Sequence, residues 1–189
     1  MTTKDEIITA TISILAREGY AGTSMRKVAA AINREPSIIY AHFTDKEELL
    51  RATRLHINQV LDTSQHYSAA ADAHTLLYET ILFQLKNREY IVALLQYFMA
   101  MAKDFPGTAS GYVPDRAYAH MQRVIEKGIA EGCYTCTDIA FNAKASTHLV
   151  NGFLMEYFGR PLRTKELQSL VIQLTSYIER TLLHTQDGV

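Results

Sequence analysis

Tryptophan is missing from the chain, and among its 189 residues there are two cysteines, four prolines and nine glycines. So little proline leaves long stretches free to run as helix. The two cysteines, Cys133 and Cys136, have Cys-x-x-Cys spacing, with no second pair and no His-x-x-x-His after them. That falls short of the four ligands of a structural zinc site. A redox role for the spacing would want a thioredoxin-like strand-and-helix setting. The pair reads as ordinary thiols near an inter-helix turn, with a thiol sensor as the alternative. Long apolar runs are also lacking. The stretch 90–102 is broken by Gln96 and ends in Lys103-Asp104, and nothing reaches the roughly 20 residues needed to span a bilayer. The first residues lack the basic-then-apolar order of a signal peptide, so a cytoplasmic protein without a membrane contact is expected. There is no nucleophile–base pattern, no metal-ligand spacing and no phosphate-cradling glycine loop. Neither an enzyme nor a cofactor is expected. With 48% hydrophobic and 21% charged residues and a net charge of −1, the chain is neither disordered nor strongly basic.

What is present is helical periodicity. Strand signals are nearly absent, so the fold class expected is all-α. Ile7, Thr11, Ile14 and Leu15 make one apolar stripe that runs into Glu18-Gly19. Helices are expected over 24–32, 36–41, 45 to about 66, 74–86, 88–103, 115–130, 138–158 and 164–184, with a loop over 105–114.

The segment from Thr23 to Leu49 carries the specific signal. Thr23 suits an N-cap, and Met25, Val28, Ala29 and Ile32 repeat at inward-facing spacing. Small residues at Ala29 and Ala30 would let a second helix cross closely. Asn33 suits a left-handed turn. Pro36 holds Glu35 extended and is itself favoured at the first helical position. The chain therefore turns sharply and restarts, which is helix-turn-helix geometry. In the second, short helix Ile39 and Phe43 face the core, leaving Ser37, Tyr40, Ala41 and His42 outward. Thr44 to Glu47 reads as a capping box, with Thr44 as N-cap and Lys46 beside free N–H groups.

Thr23-Ser24, Val28-Ala29, Ile39-Tyr40, His42-Phe43, Lys46-Glu47 and Leu49 fall without a gap on the DNA-binding signature of the tetracycline-repressor (TetR) family, which this segment resembles. The chain departs from the family at Asn33-Arg34-Glu35, where Gly-Val-Ser is usual. The resemblance implies a three-helix DNA-binding head over 1–46 and a larger helical effector-binding and dimerisation domain over 47–189. It implies DNA contacts by Thr23, Ser24, Arg34, Ser37, Ile38, Tyr40, His42 and Lys46. Most would grip phosphate, Tyr40 included, while Ser37, Ile38 and Tyr40 are the candidate readers of base edges or thymine methyls; capping alone for Thr23, and packing within the head for His42, are the alternatives. Between 20 and 46 there are four basic residues against two acidic ones. Such weak charge favours a homodimer placing two heads on a palindromic operator of double-stranded DNA, about 34–36 Å apart.

The resemblance further implies a dimer interface on the last two helices, at Leu149, Phe153, Leu154, Leu170, Leu174 and Ile178, unless these faces pack within the monomer. It implies a small-molecule effector, apolar or aromatic. His56, Tyr78, Phe83, Tyr97, Met101, Tyr118 and Met121 are candidate lining residues, with Phe98 and Tyr112 beside them, and ordinary core is the alternative for each. The expected function is a ligand-responsive transcriptional regulator, a repressor released by its effector. A helical module co-opted for protein–protein binding is the alternative.

Overall fold

The computed structural model describes residues 2–62, 70–102 and 115–183. The expected loop over 105–114, Tyr112, the expected continuation of the fourth helix toward residue 66 and the last residue expected in the final helix lie outside the described residues. Regular structure in the described residues is all helical: α1 (Thr3–Gly22), α2 (Met25–Ala31), α3 (Pro36–Tyr40), α4 (Lys46–Val60), α5 (Ala73–Lys86), α6 (Arg88–Ala102), α7 (Asp115–Ala130), α8 (Ile139–Glu156) and α9 (Thr164–Leu183). No helix among them is long and apolar enough to cross a membrane.

The helices form two compact units, one of residues 1–62 and 89–112, the other of 63–88 and 113–189. The first unit holds α1 to α4 and nearly all of α6. α1 starts in a capping box: the Asp5 N–H donates to Thr2 Oγ1 and the Thr2 N–H to the Asp5 carboxylate, which lowers that carboxyl's pKa. The regular helix breaks at Gly19, whose φ of 72° is the left-handed region, and resumes for one turn to Gly22. The core of this unit is Ile7, Ile12, Leu15, Val28, Ala29, Ile39, Phe43, Leu49, Leu50 and Ile57, with Val92 to Leu95 of α6 also buried.

In the second unit α7 packs on α8, and α5 on α9. Its core includes Leu77, Ile81, Leu85, Met121, Val124, Ile125, Val150, Leu154, Val171, Ile178 and Leu182. Gly128 makes room for the Tyr134 ring, which any Cβ there would overlap. The α7–α8 loop also reaches α9: the Thr135 N–H and hydroxyl donate to the carbonyls of Leu182 and Leu183, each at 3.1 Å.

Candidate nucleic-acid interface

The helix-turn-helix is α2, a four-residue turn and α3. Ser24, not Thr23, caps α2: its side chain accepts the Lys27 N–H at 3.3 Å. Thr23 instead closes α1. It is 1% exposed, and its hydroxyl donates to the Gly19 carbonyl at 2.9 Å. Two neighbouring hydroxyl residues share the capping work of two helix ends, which spacing alone does not apportion. α2 ends as the turn chemistry requires. Asn33 has φ 54°, its N–H reaches the Ala30 carbonyl at 3.1 Å, and the Arg34 N–H reaches Ala29 at 3.0 Å. This is the paired closure that a left-handed residue permits. Ala29 is fully buried at the crossing, whereas Ala30 is exposed and takes no part in it.

Glu35 is extended (ψ 148°) and makes no side-chain cap, so α3 starts on Pro36 alone. Ile39 (0% exposed) and Phe43 (2%) anchor α3 in the core. Ser37, Tyr40, Ala41, His42 and Arg34 are exposed, and Ile38 and Ser24 are half-buried. Tyr40 stands out at 56% exposure. The inward-anchored helix, the turn before it and the residues just after it thus present hydroxyls, a guanidinium and an imidazole to solvent, the donor and acceptor types that meet phosphates and base edges.

The start of α4 differs by one residue from the capping box expected. Asp45 is the N-cap and accepts the Glu48 N–H at 2.7 Å, while Thr44 donates its N–H and hydroxyl to Glu48 Oε2, each at 2.7 Å. Those two donors hold the Glu48 carboxyl below its ordinary pKa. Glu47 stays exposed in the first turn. Lys46 is committed within the protein: its ammonium donates to the Tyr20 carbonyl at 2.6 Å and lies 4.2 Å from the Tyr20 ring centroid. Partial burial lowers its pKa against the opposing effect of Glu47. Lys46 therefore staples α4 to the end of α1. The contact between Lys46 and Tyr20 escaped sequence reading, because a tyrosine 26 residues from a lysine leaves no periodic trace. Lys27 pairs with Glu18, and Lys4 lies 5.6 Å from the Phe43 ring centroid.

The candidate effector residues divide between the units. In the first, His56 is tilted against Tyr90, with centroids 6.4 Å apart, and Tyr97 makes an edge contact with Phe98 at 5.7 Å. Met101 is half-buried. In the second, Tyr118 shares a hydrogen bond with His148 Nε2 at 3.0 Å, Tyr78 and Phe83 are half-buried, and Met121 is 1% exposed, a packing residue. Of the residues expected at a dimer interface, Leu149, Phe153, Leu170 and Leu174 line a groove of about 850 Å³ along α8 and α9. Leu154 and Ile178 do not reach the surface, at 0% and 1% exposure. The outer apolar residues that spacing missed are Phe141, Met155, Ile172, Tyr177 and Leu183, all at least 43% exposed.

Comparison with known proteins places this geometry. Residues 7–53 match the model of the bacterial regulatory proteins of the tetR family. Over 70 residues the chain is 36% identical to the HTH-type transcriptional regulator BetI of Burkholderia thailandensis, a match spanning 36% of the chain and 36% of that relative. Solved structures agree over nearly the full length. A transcriptional regulator from Saccharomonospora viridis in complex with choline is 20% identical, with a TM-score of 0.73, over 96% of this chain and 97% of that one. A tetR-family regulatory protein from Rhodococcus RHA1 is 19% identical, with a TM-score of 0.71, over 97% and 98%. The TetR-family regulator PfmR of Thermus thermophilus is 19% identical, with the same TM-score of 0.71, over 92% and 97%.

Proposed function

We propose that the chain, whose residues 7–53 match the model of the bacterial regulatory proteins of the tetR family, is a regulator of that family: a ligand-responsive repressor that binds a palindromic operator as a dimer. The observation that carries this reading is the exposed side of α3, held outward by Ile39 and Phe43 behind a left-handed Asn33. In this reading Ser37, Ile38 and Tyr40 meet base edges and sugars, and Ser24, Arg34 and His42 meet phosphates. Thr23 and Lys46 serve from behind, by fixing the ends of α1 and α4. The working head is residues 1–46, and 47–189 carry dimerisation and effector binding.

A second copy would cover the α8–α9 groove, burying Leu149, Phe153, Ile172, Tyr177 and Leu183 about a two-fold axis that matches the operator. A large exposed apolar patch supports that use. A small organic effector is supported by the half-buried aromatic side chains in both units and by the choline held in a relative of this fold. Such an effector releases DNA only insofar as it prefers one of two arrangements of the heads.

Fluorescence anisotropy tests the reading, with the DNA upstream of the protein's own gene set against a random duplex across a salt series. Tight, salt-sensitive binding confined to the upstream DNA is the expected result. Equal weak binding to both duplexes, with no winner from a selected random pool, would overturn it.

A further inference from the structure

We propose that Arg54 is the anion-binding residue of the effector site, and that the effector carries a carboxylate beside a flat apolar body. This rests on the reading that the chain has an effector and names the chemistry of it. Arg54 lies on α4, two turns beyond Lys46. Its Nε is buried and has no hydrogen-bond partner. Buried donors are nearly always satisfied, and a charged one left alone is costly, so the exception calls for an absent partner. None of the ion pairs among the described residues includes Arg54.

The partner's chemistry follows from the surroundings. A guanidinium presents a planar fork of donors that fits a carboxylate better than it fits any neutral acceptor. The Arg54 guanidinium carbon lies 5.9 Å from the Tyr97 ring centroid. Tyr97 and Met101 stand one turn apart on α6, both half-buried, with the Phe98 ring edge-on to Tyr97. A flat apolar body could rest against these side chains, and methionine adapts to the shape it meets. A quaternary ammonium suits this place poorly. The guanidinium already occupies the neighbourhood of Tyr97 that would attract a cation, and it would repel a second one. On this point the chain should differ from its choline-bound structural relative. The consequence for DNA is direct, because Arg54 and the Lys46 staple share α4. A carboxylate drawn to Arg54 bears on the helix whose first turn is fixed to the end of α1.

The test is titration calorimetry of the full-length protein with benzoate, phenylacetate and hexanoate, against benzamide and choline as controls. Benzoate or phenylacetate should saturate more tightly than hexanoate, with benzamide and choline weaker by about tenfold or more, the scale of a lost charged hydrogen-bond pair. Arg54→Met should weaken the carboxylate by a similar factor while leaving the ligand-free protein's DNA affinity in place. Arg54→Lys, which keeps the charge and loses the fork, should fall between and guards against a folding defect in the first variant. No binding by benzoate or phenylacetate, equal or tighter binding by hexanoate, equal binding by benzamide or choline, or full affinity in both variants would overturn the proposal. Calorimetry needs no operator, so carboxylate binding by a protein that ignores DNA would sink the regulatory reading and leave this one standing.

Discussion

α3 and α9 are both amphipathic, but they divide their residues differently. In α3 the fully buried and the exposed residues differ in kind: Ile39 and, just beyond the helix, Phe43 point in, while Ser37, Tyr40 and His42 point out and Ile38 is half-buried. In α9 apolar residues occupy both sides. Val171, Leu174, Ile178 and Leu182 are within 3% of full burial, and Ile172, Tyr177 and Leu183 are at least half exposed. Periodicity therefore reads α3 correctly and misassigns part of α9. A helix with one apolar stripe buried in its own core and a second one exposed gives two overlapping stripes that spacing alone does not separate. Exposure, which needs the fold, separates them.

That contrast can be broken most severely inside α9. Ile178→Ala should cost about 2–5 kcal/mol of stability, the range for truncating a buried aliphatic side chain. Ile172→Ser should leave the melting of the monomer within about 0.5 kcal/mol and act on oligomeric state alone. Chemical denaturation with sedimentation velocity separates the two, and reversed effects would show that the sides are assigned wrongly.

The interior of the second unit should also respond to acid. Burial pulls the His120 pKa from 6.5 to about 4, with the Arg123 charge adding to it, and its ring nitrogen lies 2.9 Å from the Thr80 hydroxyl. The folded state thus keeps His120 neutral where the unfolded chain takes up a proton. Stability present above pH 6.5 is lost as pH falls through the interval down to about 4. The loss should be about 1–2 kcal/mol by pH 5. Urea midpoints at pH 7 and pH 5 would show it, and His120→Gln should flatten the difference.

On the α3 side of the comparison the expected effects are smaller. Asn33→Ala should cost about 1 kcal/mol, since alanine tolerates the left-handed turn poorly, whereas Asn33→Gly should be near neutral. The smallest effect expected is also diagnostic. If Lys46 is a staple rather than a phosphate ligand, Lys46→Met should leave the salt slope of DNA binding unchanged. Arg34→Ala should reduce that slope by about one.

Much of the head was legible because its signals are local. Asn33 at a turn, Pro36 at a helix start and the four-residue step from Ile39 to Phe43 each involve neighbours in sequence. The errors there are one-residue slips between adjacent capping side chains, Thr23 for Ser24 and Thr44 for Asp45. Such neighbours differ only in which backbone N–H they face. What stayed hidden depends on distant pairs. Tyr20 receives Lys46, Glu89 of α6 accepts the Ser13 hydroxyl of α1 at 2.7 Å, and the Arg54 Nε stands without a hydrogen-bond partner beside Tyr97. Nothing in the spacing of these residues marks them as neighbours.

The central claim is that the outward side of α3 reads DNA, and Tyr40→Ala tests it most directly. The variant should melt like the parent, because Tyr40 is 56% exposed, and should lose most of its preference for the upstream duplex in fluorescence anisotropy. An unchanged preference in a folded Tyr40→Ala protein would contradict the account.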